Sequence, residues 1–565
     1  MRRNLENMAK KTYDILVIGG GITGASIAWD ASLRGLSVGL IEKDDFAHAT
    51  TSGSSKMVHG GLRYLINGEL KLVRESLRER RIWENIAPHM VRPLPFIIPT
   101  YGWGMRSGIV LSIGLAFYDL LSFDRNFLSD DDKKLPGYRS ISRGSALQMM
   151  PHFSKQGLTG AKIYYDCQMF SPERLCLECI EGAVEYGADA ANYAEATSFL
   201  ISGVLDQGAK VEGVRTRDRL SGGEYELKAK LVVNAAGPWA DRVMGLAKDG
   251  EPSRRLIRSK GIHLITRAFT QDHALAIQSV TGGHFFVIPW RGHTLIGTTD
   301  VVFADDPDQL GVSEKDISDF LRVVNGSLPG LNLARGDVKH FYAGLRPLVD
   351  QSPAQGGPKD SYNASRAAEI VDHGKLDAIE GFISAIGGKW TTSRHLAEQV
   401  VDLALHKLSR RIKSETHCTP TYGGEIGRLK SFMARAVKRH AHLPRESVEN
   451  LCRFYGSRID DVLATADEKP GERGALLQRL KGSVPDLAVQ IAYAVRHEMA
   501  LHLTDVLFRR TGLGTLGHPG AELLDEVASL MAHELGWSEA EKAQEIAQAQ
   551  LAFETREPVR QEAPA

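Results

Sequence analysis

Long apolar runs are missing from this 565-residue chain. The most apolar window, 108–122 (GIVLSIGLAFYDLLS), contains Asp119 and falls short of the ~20 residues that cross a bilayer. It reads as a buried or interfacial helix. The N-terminal segment MRRNLENMAKK is basic but has no apolar core behind it, so no secretory signal is expected. An excess of charge of one sign is also missing: Lys plus Arg equals Asp plus Glu at 69 each. Nucleic acid is therefore not expected as a partner, because phosphate backbones are met by a basic excess. Cysteine is scarce. The five thiols are Cys167, Cys176, Cys179, Cys418 and Cys452. Cys176 and Cys179 form a C-x-x-C, but on a helical stretch (RLCLECIEGAVEYGA) with no second pair at zinc or iron–sulfur spacing. Buried, reduced thiols in a reducing compartment follow, and no metal site is expected. Asp130-Asp131-Asp132 lacks the alternation and the glycine of a calcium loop.

Glycine, by contrast, is abundant and placed. Residues 14–18 (DILVI) form a β-branched apolar run, and Gly19, Gly21 and Gly24 follow as G-x-G-x-x-G. A helical pattern then runs from Ile22 to Arg34, Gly35 ends it, and SVGLIE (37–42) reads as a second strand closing on Glu42. This is a βαβ unit of about 30 residues. The three glycines serve different physical ends. Gly19 permits the tight turn, Gly21 lets a pyrophosphate approach the backbone, and Gly24 lets helix pack closely on strand. The helix N-terminus presents N–H groups to phosphate, and Glu42 stands where a carboxylate accepts from ribose hydroxyls.

The segment 50–61 (TTSGSSKMVHGG) adds hydroxyls and glycines, with Thr51, Ser52, Ser54, Ser55, His59 and Gly60 as candidate cofactor contacts. A run of donors of this length suits the flavin end of FAD. Two further segments share the pattern. LVVNAAGPWAD (231–241) ends a buried strand in small residues including Gly237. SAIGGKWTT (384–392) ends a strand at Gly387-Gly388 and opens a helix through Lys389, Thr391 and Thr392. A helix N-terminus there stabilises the negative charge of a reduced flavin.

Other strand signals fall at 162–165, 227–237, 261–266 and 381–388, with a hairpin of 284–290 and 294–300 about Arg291-Gly292-His293. Long helices are expected at 69–87 and 393–409. Beyond Cys418 the strand signals stop. One helix is expected from Pro485 through DLAVQIAYAVRHEMALHLTDVLFRR to Gly512, and another from a Ser538/Glu541 capping box.

Taken in order, SSKMVHGGLRYL (54–65), NAAGPWAD (234–241), IGTTD (296–300), AGLRPL (343–348), GGKWTT (387–392) and YAVRHEMALHLTDVLFRRTGLG (493–514) closely resemble strings of the FAD-dependent glycerol-3-phosphate dehydrogenases. The resemblance spans nearly the whole chain. It implies an α/β fold: a Rossmann-like FAD-binding domain interleaved with an antiparallel-sheet substrate domain, plus an all-α C-terminal cap. The boundaries would be 12–90, 160–250 and 370–412 for FAD, 91–159 and 251–369 for substrate, 418–553 for the cap, and a disordered tail at 554–565.

The resemblance further implies oxidation of sn-glycerol 3-phosphate to dihydroxyacetone phosphate, with electrons passing through FAD to a membrane quinone. It implies attachment, peripheral or monotopic, to the cytoplasmic face of the cell membrane; assembly as a homodimer stays open. Its phosphate-binding positions fall on Arg63, Tyr64, Arg346 and Lys389. Loss of the hydroxyl proton needs an acceptor. His59 and His263 are both candidates, and Arg346 would polarise the hydroxyl. The chain departs from the family where Pro172-Glu173-Arg174-Leu175 replaces Asp-Ala-Arg-Leu, and it lacks the cysteine cluster of the iron–sulfur-linked anaerobic subunit. An oxidase that reduces oxygen to peroxide would share these motifs. An amine or amino-acid oxidase would not need three phosphate-ready cations. For membrane contact two segments compete: the helix at 108–122 and the basic amphipathic stretch RLKSFMARAVKRH (428–440).

Overall fold

A computed structural model describes residues 1–66, 68–104, 106–204, 208–248, 250–270, 272–349 and 368–556. Two sheets and a helical region carry the fold. The first sheet is built on Thr12–Ile18, which pairs in parallel with Val38–Ile41 on one side and Glu224–Asn234 on the other. Phe382–Ile386 extends it beyond Glu224–Asn234, and Asp189–Ala191 extends it beyond Val38–Ile41, again in parallel.

A strand buried on both faces must be apolar at every position, and the run after Asp14 meets that demand. Ile15 and Val17 face a core shared with Trp29, Cys176, Ile180 and Val401. Leu16 and Ile18 face a second core with Phe199, Val214 and Phe382. Helices Ile22–Leu33, Pro172–Glu185 and Ser393–Lys407 contribute to the first core. The antiparallel strands Ala194–Ser202 and Ala209–Asp218 contribute to the second. Cys176 and Cys179 are buried free thiols on Pro172–Glu185.

The second sheet is antiparallel except where Ala274–Gln278 meets Val91–Tyr101 in parallel. Its longest pairings are Leu256–Thr266 with Val338–Val349, and Val91–Tyr101 with Leu158–Met169. The expected hairpin is present as His284–Trp290 and His293–Gly297. One boundary differs from expectation. Residues 160–169, placed with the FAD domain from sequence, belong to a strand of this second sheet, because Leu158–Met169 pairs along its length with Val91–Tyr101.

The C-terminal region packs helices Leu429–Arg439, Arg445–Tyr455, Ala488–Glu498, Ala521–Leu535 and Glu539–Leu551. Val448, Leu451, Ile491, Val527 and Met531 lie in their common core. Ser538 and Glu541 form the expected capping box. The single helix expected from Pro485 to Gly512 is broken. It starts at Ala488, stops at Glu498, and resumes as Leu503–Asp505 and the π-helical turn Val506–Arg510. Met499 is left-handed at φ 55°. The apolar periodicity continues across the break, but tertiary hydrogen bonds override it. Asn192 Nδ2 donates to Met499 O at 2.9 Å, and Asp505 Oδ2 accepts from the N–H groups of Leu501 and His502 at 2.9 Å each. The start of the expected disordered tail is also held: Arg556 N donates to Val312 O at 2.9 Å. Residues 557–565 lie outside the described residues.

Helix Ile22–Leu33 lies so close to the strand before it that a Cβ on Gly24 would sit 1.9 Å from Gly19 O. Backbone cannot yield as a flexible side chain does. Gly24→Ala is expected to cost about 2 kcal/mol or more, read as a lowered thermal midpoint and a smaller fraction of flavin-loaded protein.

Candidate active site

The glycine turn sits where three strand ends meet. Gly19 N donates to Ile41 O at 2.8 Å, and Gly19 holds φ 112°. A Cβ there would lie 2.6 Å from Ala235 O, at the end of Glu224–Asn234. Gly21 begins helix Ile22–Leu33 with no side-chain cap of its own. Instead Thr51 Oγ1 accepts from Ile22 N at 3.0 Å, tying the 50–61 loop to the helix N-terminus. Glu42 accepts from Gly20 N at 2.7 Å and from Asp44 N at 2.9 Å. Burial raises its carboxyl to about 7 despite those bonds.

A cavity of about 1240 Å³ opens at this turn and is lined by Thr51, Ser54, Ser55, His59, His263 and Arg346, and by Gly387, Gly388 and Lys389. Common ligand pockets occupy ~300–1,000 Å³, so this one has room for a dinucleotide and a small substrate together. Gly237 and Tyr64 also line it. Gly24, Ser52, Gly60 and Thr392 do not. Gly24 is consumed in helix–strand packing. Ser52 Oγ turns back to His48 O and Ala49 O, both at 2.9 Å. Gly60 is buried with its N–H on Asp166 Oδ1 at 3.1 Å. Thr392 is buried at the N-terminus of Ser393–Lys407. Arg63 lies on helix Leu62–Ile66, and its side chain lies outside the described residues.

The inner end is made by strand register. Leu256–Thr266 and Val338–Val349 pair Ser259 with Arg346, Gly261 with Gly344 and His263 with Tyr342. Side chains alternate across a sheet, so these six positions share one face. The two glycines let neighbouring groups close onto the middle of that face. A Cβ on Gly261 would lie 2.6 Å from Arg346 Nη2, and one on Gly344 2.6 Å from Gly53 O. His263 stacks on Tyr342 with ring centroids 4.8 Å apart, and its Nε2 is 2.9 Å from Ser55 Oγ. Burial, assisted by the charges of Arg346 and Lys56, holds its pKa well below the ordinary histidine range.

Arg346 is aimed by Ser259 on the neighbouring strand and by acceptors on the turn that follows His293–Gly297. Nη1 donates to Ser259 Oγ at 3.1 Å and Thr299 O at 3.3 Å, and Nη2 to Thr298 Oγ1 at 3.1 Å and Thr299 O at 3.2 Å. Asp300 stands 4.0 Å away. Lys389 Nζ donates to Ser76 Oγ at 2.6 Å and lies 4.1 Å over the Tyr64 ring. Thr391 Oγ1 accepts from His59 N at 3.2 Å.

Two buried ionic sets under the site go beyond the residues singled out by sequence. Asp166 binds Arg80 Nη1 at 2.6 Å, Tyr118 OH at 2.9 Å and Gly60 N. Asp166 lies just beyond the strand signal at 162–165, and nothing in that run points to Arg80. Lys56 pairs with Glu173, the residue that replaces the family's alanine, and donates to Ser52 O at 2.8 Å. Lys56 lies within SSKMVHGG, where nothing in its sequence surroundings points to a partner 117 positions away.

The residues fit FAD. Gly19 and Gly24 have no room for a Cβ, and Gly21 at the helix N-terminus, Glu42 and the Gly387-Gly388 turn all line one cavity. A dinucleotide cradle opening onto one face of an antiparallel sheet defines a flavin-dependent oxidoreductase. Comparison with known proteins agrees. Residues 14–402 match the FAD dependent oxidoreductase model, and 414–542 match the C-terminal domain of alpha-glycerophosphate oxidase. A glycerol-3-phosphate dehydrogenase of Synechocystis sp. is 36% identical, covering 96% of this chain and 97% of its own length. The aerobic glycerol-3-phosphate dehydrogenase of Bacillus subtilis is 33% identical over 90% and 89% respectively. The crystal structure of the glycerol-3-phosphate dehydrogenase of Bacillus halodurans, complexed with FAD, superposes with a TM-score of 0.76 at 29% identity, covering 97% of this chain and 96% of that one. The chain belongs to the FAD-dependent glycerol-3-phosphate dehydrogenase family, and FAD is its cofactor.

The depressed pKa of His263 means the ring is in its neutral form across the physiological range. Histidine-selective ¹⁵N spectra at pH 6 are expected to show the His263 ring among those still neutral, identified as the neutral signal that is lost in His263→Asn. A His263 ring that is protonated at pH 6 contradicts the arrangement.

Proposed function

We propose that this chain oxidises sn-glycerol 3-phosphate to dihydroxyacetone phosphate and delivers the electrons to a quinone dissolved in a membrane. The observation that carries the chemistry is the sheet face on which His263 and Arg346 stand on either side of Gly261 and Gly344, all four lining the FAD cavity. Oxidation of a secondary alcohol removes a hydride from carbon and a proton from oxygen. When bound, FAD supplies the two-electron acceptor for the hydride.

Neutral His263 accepts the hydroxyl proton in this reading. The Tyr342 stack and Ser55 fix its ring on two sides. Arg346, held by four hydrogen bonds, favours the alkoxide that forms as the proton leaves. Lys389 and Tyr64, which line the same cavity, bind the phosphate dianion, with Arg63 on the same helix as Tyr64.

The membrane assignment rests on an exposed apolar surface at the cavity mouth. Among the described residues no helix is long and apolar enough to cross a membrane. Helix Gly108–Leu121, however, turns its apolar side chains outward: Ile109 is 64% exposed, Ile113 67% and Leu120 65%, with Trp103 beside them at 91%. Leu111 of the same helix lines the cavity, as does exposed Arg106 just before it. An apolar patch continuous with the electron-transfer cavity suits an acceptor that dissolves in lipid. The competing stretch at 428–440 has its apolar side committed inward, since Phe432, Met433 and Val437 of helix Leu429–Arg439 pack on the C-terminal core.

Anaerobic addition of sn-glycerol 3-phosphate should bleach the oxidised-flavin band, and a soluble quinone should restore it. Peroxide formation outpacing quinone reduction would make the acceptor oxygen instead. In Arg346→Ala the flavin should stay bound while bleaching slows by a factor of about 100 or more; normal bleaching in that variant removes Arg346 from the chemistry. Ile113→Asp with Leu120→Asp should abolish binding to phosphatidylglycerol vesicles and leave flavin bleaching intact. Vesicle binding that survives both changes would place the membrane surface elsewhere.

A further inference from the structure

The turn that follows Glu42 carries a buried aspartate that the reaction does not use. Asp45 is 1% exposed and does not line the FAD cavity, although its neighbours Asp44, His48 and Ala49 do. Its partners come from the far end of the chain. Arg510 grips it with both branches of the guanidinium, Nη1 to Oδ2 and Nη2 to Oδ1 at 2.8 Å each, and Arg509 Nε reaches Oδ2 at 2.5 Å. Asn192 Nδ2 adds a fourth bond at 3.0 Å. Consecutive side chains on an α-helix diverge too far to share one carboxylate. Here they come from the wider π turn Val506–Arg510, closed by Thr511 N to Val506 O at 3.0 Å.

Both arginines are themselves held. Arg509 Nη2 donates to Asp505 Oδ1 at 2.6 Å, and Tyr193 OH meets the same oxygen at 2.7 Å. Arg510 donates to Glu498 O through Nε at 3.2 Å and Nη2 at 2.9 Å. The break in the C-terminal helix at Met499 is what turns Glu498 and the π turn toward one another. On the other side, the turn bearing Asp45 bears on the glycine fingerprint: Ala47 N donates to Gly20 O at 3.0 Å, while Gly20 N donates to Glu42 at 2.7 Å. A continuous line of charge-assisted and backbone bonds thus joins the C-terminal helical region to the FAD cradle.

We propose that Arg509 and Arg510 are positioning residues for FAD, acting through Asp45 to fix the turn that closes the dinucleotide end of the cradle. The C-terminal region then forms part of the cofactor site without touching the cofactor. The assignment does not depend on which substrate or acceptor the enzyme uses.

Release of FAD from the full-length holoenzyme, followed by the rise in flavin fluorescence on dilution, tests it. Asp45→Asn and Arg510→Met should each release FAD at least tenfold faster than the unaltered protein. The double variant should release it no faster than the faster single variant, because each single change already breaks the Asp45–Arg510 pair. Turnover with FAD in saturating excess should keep kcat and KM for sn-glycerol 3-phosphate within twofold. Arg510→Lys, which keeps the charge and loses the fork, should fall between. It decides the question if Asp45→Asn does not fold, since release at the unaltered rate in Arg510→Lys and Arg509→Gln would overturn the proposal. Additive effects in the double variant would also overturn it, as would lost turnover with FAD fully bound.

Discussion

The pairing register between Leu256–Thr266 and Val338–Val349 is the constraint on which the reaction end of the cavity depends. Because side chains alternate faces, a slip of one residue on one strand would turn its site residue away from the cavity while leaving the other in place. The register is secured from several directions. The Tyr342 hydroxyl donates to Ser54 O at 2.9 Å, Thr50 Oγ1 donates to Leu345 O at 2.7 Å, and Gly344 admits the backbone of Gly53. The 50–61 loop that lines the cavity is therefore pinned to the strand that carries Arg346. This is how two sheets with separate cores come to share one chamber.

Electrostatics around that chamber follow a common pattern: buried charge is placed beside the walls and matched there. Asp166 has Arg80, Lys56 has Glu173, Asp45 has Arg509 and Arg510, and Arg174 has Glu498 and Glu181. Such pairs are poor sources of stability, since desolvation offsets the attraction, but losing one partner strands a charge in an apolar interior. Their effect is to make geometry all-or-none. A carboxylate with a two-pronged arginine has one orientation, and the backbone that carries it inherits that orientation.

The parts legible in the sequence are those whose physics is local. The glycine fingerprint works within a single βαβ unit, so spacing alone locates it, and the Ser538/Glu541 cap needs only four residues. The outward face of Gly108–Leu121 was half legible: its length excluded a span, but exposure depends on what the rest of the fold leaves uncovered. His263 and Arg346 were reached through resemblance, because nothing in either strand announces that Ser259 will lie opposite Arg346. The continuous helix expected across 485–512 failed for the same reason. Its periodicity is sound on both sides of Met499, and the break is imposed by Asn192, 307 positions earlier in the chain. Asp166 with Arg80 and Asp45 with Arg510 were invisible, being pairs whose members have ordinary surroundings in sequence.

The separation of Asp45 from Arg510, 465 positions along the chain, has a consequence for how the protein is made. The glycine turn and its supporting strand emerge from the ribosome long before the π turn does, and the carboxylate beside them stays without its counter-charges throughout that interval. In a nascent or truncated chain lacking Val506–Arg510 that aspartate has no arginine partner, so it stays hydrated or takes up a proton. The final charge pairing beside the glycine turn is thereby made only at the late stages of translation.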